Sequence, residues 1–331
     1  MTNLLEALSG ETGIRALDLR RIMSGAPLRY KHYTIPKRGR GVRRIAQPAR
    51  EVKLLQRALV KVLLTSLPVH RCATAYRVGL SIRDNANAHA GDGPILKLDL
   101  RNFFPSLKAS DWVAYCNKTK CLTNTEEIHL TSCLLFHRRP GIRFLRLAIG
   151  APSSPMLSNI LMYDIDTRIF EAVAGNFVTY TRYADDMTFS APRTGFLTGV
   201  MSKVAKIIRE TRTPSLDING DKTTFVTTKY HRTVTGLTLT NDGKVTIGRE
   251  KKRKISAEVH YALNDKLNPA DLQILAGMLA YVKAVEPTFL EWLQNKYGAD
   301  IVRTIQGMVL LGTKLPRHDP PLAPIVGERQ I

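Results

Sequence analysis

Acidic residues are scarce in this chain. Against 49 lysines and arginines stand 28 aspartates and glutamates, which leaves a formal net charge of +21 over 331 residues. Such an excess points to a polyanionic partner, nucleic acid most simply, with an anionic membrane surface as the other candidate. No run of about 18 apolar residues occurs and no signal-peptide pattern opens the chain, so a soluble, cytoplasmic protein with no membrane partner is expected. Cysteine is sparse too. Cys72, Cys116, Cys121 and Cys133 show no Cys-x-x-Cys spacing and no paired histidines, which argues against zinc and for buried, reduced thiols. No period of about 20–50 residues repeats, which excludes a solenoid. The length allows a large core in one multi-lobed unit or two domains.

What the chain does contain is organised around Val178-Thr179-Tyr180-Thr181-Arg182-Tyr183-Ala184-Asp185-Asp186-Met187-Thr188-Phe189-Ser190. β-Branched and aromatic residues run up to two adjacent carboxylates and resume beyond them, the pattern of a β-hairpin with Asp185 and Asp186 near its tip. Adjacent acids repel, and a tip that gathers them calls for a countercharge that a divalent metal can supply. An Asp-Asp pair alone is more often a solvated turn. Its meaning comes from the rest of the chain.

A second stretch, Pro94 to Leu107, opens with the apolar Ile95, Leu96 and Leu98 of a buried strand. Asp99 falls where that strand ends, and Pro105 after Phe104 should break it and redirect the chain. A strand-end carboxylate followed by a bulky ring suits a nucleotide site, acid toward metal and ring toward sugar. The plainer alternative is a strand-terminating Asp beside core phenylalanines. Neighbouring antiparallel strands could bring Asp99 beside the 185–186 pair, the layout for two divalent ions about 3.5–4 Å apart. Mg²⁺, with Mn²⁺ as a substitute, suits carboxylates plus substrate phosphates.

The flanking segments read as follows. Residues 1–30 are amphipathic helix around Leu4, Leu5, Leu8, Leu17, Leu19 and Ile22. Residues 31–50 hold seven Lys/Arg and no acid, and Tyr33 to Ile45 reads as a basic hairpin able to clamp phosphates. Glu51 to Leu67 is an apolar-periodic helix closed by Pro68. His89, taken alone, is a hydrogen-bonded structural histidine. Helices with a basic tip at 137–140 are expected between Asp111 and Phe144. The small residues and prolines of 147–155 feed a helix with Leu157, Ile160, Leu161, Ile165 and Ile169 on its apolar face. Such a turn lets a backbone approach a ligand, and helix-start N–H groups can face a phosphate or template base. Asp164 and Asp166 read as solvated or salt-bridged. A helix spans 199–209, and 216–226 reads as strand, turn, strand with Lys222 at the turn. Residues 231–239 and 244–247 form a hairpin around Asn241-Asp242-Gly243. Arg249-Glu250-Lys251-Lys252-Arg253-Lys254 opens a helix suited to tracking a phosphate backbone. Helices follow at 272–285 and 289–310, then a Pro-rich tail over 314–331, expected to be extended or disordered.

These blocks follow a known order. Tyr183-Ala184-Asp185-Asp186, the Asp99-to-Phe104 block and the Gly150-to-Pro155 block resemble a reverse transcriptase palm, and Ile35-Pro36-Lys37, Arg43-Arg44-Ile45 and Pro48 resemble its fingers. Asn85-Ala86-Asn87-Ala88-His89 matches the Asn-Ala-x-x-His motif, and Val234-Thr235-Gly236 the Val-Thr-Gly motif, of bacterial retron reverse transcriptases. The resemblance spans about Tyr30 to Ala257. It implies an α+β right-hand polymerase: an N-terminal helical extension over 1–30, fingers and palm over 31–247 with an antiparallel sheet packed on helices, and a C-terminal α-helical, nucleic-acid-binding thumb over 248–313.

The resemblance further implies RNA-directed DNA synthesis from deoxynucleoside triphosphates. The template would be a partner non-coding RNA, primed from a guanosine 2′-hydroxyl. The product would be branched multicopy single-stranded DNA, an RNA–DNA hybrid, made in an anti-phage unit with a separate effector protein. Asp99, Asp185 and Asp186 match the metal-binding triad, and Phe104 the aromatic gate that excludes a ribose 2′-hydroxyl. Lys37 and Arg43 match the fingers groups that hold the triphosphate, with Leu100 and Ser153 beside the nucleotide. Lys222 matches a lysine that protonates pyrophosphate. Asn85, His89, Val234, Thr235 and Gly236 are expected to contact or select the RNA, and Arg249, Lys251, Lys252, Arg253 and Lys254 to bind it. Ile149 stands where glutamine is frequent, and an isoleucine side chain cannot hydrogen-bond there. Competing readings are a group II intron-like or orphan defence reverse transcriptase with another primer, and a non-catalytic RNA-binding scaffold that restrains an effector.

Overall fold

A computed structural model describes residues 3–37, 41–91, 93–139, 141–175 and 177–307. The chain separates between Val245 and Thr246 into two units. In the first, α1 (Leu4–Thr12) and α2 (Ala16–Gly25) turn Leu4, Leu5, Leu8, Leu19 and Met23 into the core, as amphipathic spacing requires. The basic hairpin follows, β1 (Tyr30–Pro36) paired with β2 (Val42–Pro48) over seven register positions. Helix α3 (Arg50–Val62) stops short of the expected Leu67, and a 3₁₀ turn over Leu64–Ser66 leads to Pro68. The residue before a proline avoids helical backbone, which favours the early stop. Ser81 and Asp84 form a capping box on α4 (Ile82–Asn87).

Strand β3 (Ile95–Asp99) leads into the short α5 (Phe103–Ser106), then α6 (Ala109–Thr119) and α7 (Thr125–Leu135). Pro105 thus lies inside a helical turn rather than breaking a strand, at a position whose N–H would have no intrahelical partner. The basic stretch expected at a helical tip instead forms a hairpin, β4 (Phe136–Arg138) with β5 (Leu145–Leu147), and Pro140 lies outside the described residues. One expected helix is two, α8 (Ser154–Leu161) and α9 (Tyr163–Ala174), with Leu157, Ile160, Leu161, Ile165 and Ile169 all buried across the break.

Next come β6 (Thr179–Tyr183), β7 (Asp186–Ser190), α10 (Val200–Glu210), β8 (Thr224–Val226), β9 (Arg232–Val234) and β10 (Leu237–Leu239). The central sheet has the order β6-β7-β3-β8 and is antiparallel throughout. Tyr180 stacks on its register partner Phe189 with ring centroids 4.7 Å apart, as cross-strand aromatic pairs do. The stretch 231–239 is not one strand. Val234 faces Leu237 across Thr235 (φ 48°) and Gly236 (φ 79°), a two-residue turn of the primed class that suits strand twist.

The second unit contains α11 (Arg249–Leu263), α12 (Pro269–Val285), α13 (Pro287–Tyr297) and α14 (Ala299–Gly307). Gly298 at φ 98° separates α13 from α14, where one helix over 289–310 was expected. The tail 314–331 lies outside the described residues. Among the described residues no helix is long and apolar enough to cross a membrane.

Candidate active site

Strand register sets the site. Asp99 is the last residue of β3 and lies opposite Asp186, the first residue of β7. Asp185 is in the two-residue turn between β6 and β7, and its carbonyl accepts from the Leu100 N–H at 3.0 Å. Asp99 and the distant Asp185–Asp186 pair are therefore gathered at one end of the sheet. Asn219, which the sequence reading passed over, fastens Asp99 twice. Its N–H donates to the Asp99 carbonyl at 2.7 Å and its side-chain amide to Asp99 Oδ1 at 3.0 Å. Lys222 Nζ donates to Asp99 Oδ2 at 2.9 Å.

The electrostatics follow from crowding. Burial, then the charge of Asp99, raises the Asp185 carboxyl above its ordinary range. Asp186 keeps a solvent-facing tip, yet burial, and then repulsion from Asp185 and Asp99, push it up to about 6. Lys222 is raised in turn, chiefly by its hydrogen bond to Asp99. Among the described residues no three side chains already stand as a cage around one point. The donor chemistry still fits a hard divalent cation: clustered carboxylate oxygens bear negative charge that nearby lysines only partly offset.

The turn is held from behind by a buried network. Arg182 is fully enclosed and pairs with Asp166, its Nη2 2.6 Å from Oδ2 and its Nε 2.9 Å from Oδ1. Arg182 Nη1 also donates to the Ala184 carbonyl at 3.0 Å and to Asn159 Oδ1 at 3.2 Å. Tyr180 donates to Asp166 at 2.9 Å, and Asn159 Nδ2 donates to the Ala75 carbonyl at 2.8 Å. Ala184 takes φ 58°, a left-handed conformation costing on the order of 1 kcal/mol for a residue with a Cβ. The Arg182 hydrogen bond to its carbonyl helps hold that conformation. Asp166 is thus salt-bridged, as one of its two expected readings had it, and completely buried.

Phe104 is half-buried on α5, edge-on to Phe103 at 5.3 Å. Its other neighbour is Tyr76, 6.4 Å from both Phe104 and Tyr183. Tyr76 sits at φ 62°, and burial, then the charge of Asp185, raises its hydroxyl. No sequence signal had marked it. From the β1–β2 hairpin, the charge of exposed Arg43 reaches Asp185 and offsets a small part of its rise. Lys37 is exposed at the end of the hairpin, its N–H bonded to the Gly41 carbonyl at 3.1 Å.

Leu100 and Ser153 are corrected by burial. Both side chains are enclosed, at 1 % and 0 % exposure, so neither presents a side chain to a nucleotide. Leu100 acts through its backbone on Asp185. The small-residue turn also serves protein rather than ligand. A Cβ on Gly150, at φ 117°, would lie 3.1 Å from Ile45 Cγ2 and 3.2 Å from the Ala46 carbonyl. Ile149 O accepts from the Ala46 N–H at 2.9 Å, so this turn docks onto β2.

Residues 35–245 match the family model described as reverse transcriptase (RNA-dependent DNA polymerase). The chain is 36% identical over 279 residues to the retron Ec83 reverse transcriptase of Escherichia coli, covering 84% of this chain and 89% of that protein. With the retron Ec86 reverse transcriptase of the same organism it shares 31% over 309 residues, 89% of this chain and 91% of that one. The chain belongs to the retron reverse transcriptases. A solved structure of the foamy viral protease-reverse transcriptase with double-stranded DNA gives a TM-score of 0.47 at 14% identity, covering 85% of this chain and 43% of that chain.

In this retron reverse transcriptase the two motif blocks meet each other. Thr235 Oγ1 donates to the Ile82 carbonyl at 3.0 Å, which joins the β9–β10 turn to α4. Asn85 Oδ1 accepts from Thr74 at 2.7 Å, and the His89 ring nitrogens lie 2.6 Å from Ser190 Oγ and 2.7 Å from Thr181 Oγ1. Asn85, His89 and Val234 are buried, which corrects the expectation that their side chains contact RNA. His89 braces the strands behind the aspartates, the structural role its residue type favours. In the second unit Arg249, Lys251, Arg253 and Lys254 are exposed along α11. Lys252 is half-buried and pairs with Glu286 at 2.5 Å.

Proposed function

We propose that this enzyme, an RNA-directed DNA polymerase by family, copies a partner non-coding RNA, primes from a guanosine 2′-hydroxyl of that RNA, and leaves branched multicopy single-stranded DNA. It works in the cytoplasm, in an anti-phage unit with a separate effector protein. The reading is carried by the register that sets Asp99 against Asp186 with Asp185 in the adjoining turn. Asp99, Asp185 and Asp186 would hold divalent ions, Mg²⁺ by the preference of carboxylates and phosphates, which when bound acidify the attacking hydroxyl and offset phosphate charge.

The other groups position the substrate. Lys222, already on Asp99, supplies an ammonium that can donate a proton toward the departing pyrophosphate. Arg43 and Lys37 offer charge-assisted hydrogen bonds to the triphosphate. The rings of Phe104 and Tyr76 form a wall against which a 2′-hydroxyl would clash. Direct RNA contacts are assigned to Thr235, Gly236 and the exposed basic residues of α11. The test is to incubate purified protein and its co-purifying RNA with deoxynucleotides and Mg²⁺, then sequence the 5′ end of the product. A 2′,5′ branch at a guanosine supports the proposal. A linear DNA 5′ end, or no incorporation, overturns it.

A further inference from the structure

We propose that the second unit carries a pocket for one unpaired nucleotide of a single-stranded nucleic acid. The inference rests on the nucleic-acid partner proposed above, but not on polymerase chemistry. The pocket, about 790 Å³, opens between α11 and α13 and is lined by Lys252, Arg253, His260, Phe289, Trp292 and Lys296, among others. Phe289 and Trp292 stack with centroids 5.6 Å apart and planes inclined by 15°. Lys252 Nζ lies 5.2 Å from the Phe289 ring, and Lys296 Nζ 4.8 Å from Trp292.

Flat apolar rings capped by cations suit a ligand that is itself flat and anionic. A base can replace an ammonium over a ring face, and the displaced lysine can take the phosphate. The charge agrees: Lys252, Arg253 and Lys296 stand against one lining carboxylate, Glu286, already paired with Lys252. Glu286 also accepts from the Ile247 N–H at 3.0 Å and from Thr246 Oγ1 at 2.9 Å, so it repels a phosphate little. A duplex keeps its bases stacked on each other and cannot offer a face to Trp292. An unpaired nucleotide can.

The chain has a convenient reporter. Of its two tryptophans, Trp112 is fully buried and Trp292 is 46 % exposed. Tryptophan emission would be followed while oligoadenylates of about 12 nucleotides, ribo or deoxy, and the matching duplex are added without metal or nucleotides. Parallel anisotropy of labelled strands gives affinity. The expectation is saturable quenching by single strands and none by the duplex. Trp292→Leu should weaken single-strand binding roughly tenfold, the scale of one stacked base, and Trp292→Phe should restore most of it. Quenching by either strand supports the pocket, and their relative affinity identifies the sugar it prefers. Tight single-strand binding without quenching, or equal affinity in Trp292→Leu, overturns the proposal. So does emission already shielded from iodide in the free protein, which would mean that the pocket is filled by the chain itself. Quenching by a protein that makes no DNA would leave the pocket standing and sink the polymerase reading. DNA synthesis without quenching would do the reverse.

Discussion

Hairpin β6–β7 turns over in two residues and is enclosed along most of both strands, whereas β1–β2 runs through seven register pairs with β1 exposed from Lys31 to Pro36. Both carry charges expected at the same nucleotide. The carboxylates are braced by Arg182, Asn219 and the Leu100 backbone, while Arg43 and Lys37 extend from an exposed strand and its end. The difference follows from what each charge has to do. Oxygens that share a small cation must be fixed to within a fraction of an ångström before it arrives. Cations that receive a triphosphate can settle on it as point charges or forks.

The largest expected effect falls on the braced hairpin. Asp185→Asn with Asp186→Asn should cut DNA synthesis by at least about a thousandfold, with circular dichroism unchanged, because the lost groups act on charge in the transition state. Arg182→Met should come next. It strands Asp166 as an uncompensated buried charge and should cost about 3–5 kcal/mol in urea unfolding. If stability held while synthesis fell, the brace would be catalytic in a way its burial does not suggest. Phe104→Ala should relax discrimination against ribonucleotides by roughly tenfold or more in primer extension. Unchanged discrimination would move the gate to Tyr76. On the exposed hairpin, Arg43→Gln should raise the KM for deoxynucleotides by about tenfold with kcat nearly kept, and Lys37→Gln by less, since only Arg43 is felt at Asp185. A kcat loss as large as that of the aspartate variant would erase the contrast between the hairpins.

The two hairpins and β3 were legible because alternation of β-branched and aromatic residues with short breaks survives in sequence. The three aspartates were legible because acids at strand ends are few in so basic a chain. The supports were not. Arg182 and Asp166 are spelled like surface charges, and only the packing of α9 against the sheet turns them into a buried pair. Asn219 and Tyr76 belong to irregular segments without a period to read. The break at Thr235 went unforeseen because a β-branched residue at φ 48° is a poor turn former, held here by its bond to Ile82. The small residues and prolines of 147–155 suggested room for a ligand, yet Gly150 lets a loop reach the backbone of β2. Burial separated Asn85, His89 and Val234, but not Thr235 and Gly236, from the RNA contact expected of the two retron motifs, and the His89 ring pairs with the strands behind the aspartates.

The smallest effect concerns stability of the metal-free protein. An unfolded chain leaves Asp186 at the ordinary carboxylate value of 3.8, while the folded site raises it to about 6. The folded state therefore binds this proton more tightly. That preference contributes stability below the ordinary value, and the contribution is lost as pH rises through about 6. Asp186→Asn removes the charge and hence the loss, so in chelator at pH 8 the variant should melt about 2–4 °C above the parent, the carboxylate's exposed tip keeping the gain small. The two should converge near pH 4. Asp185 shifts in the same direction, so the variant retains a weaker pH slope. Arg43→Gln leaves Asp185 and Asp186 in place and should keep the parent's slope. A parent that melted higher at pH 8 than at pH 5 under chelation would mean that the carboxylates are not crowded, and the braced hairpin would lose the feature that sets it apart from the exposed one.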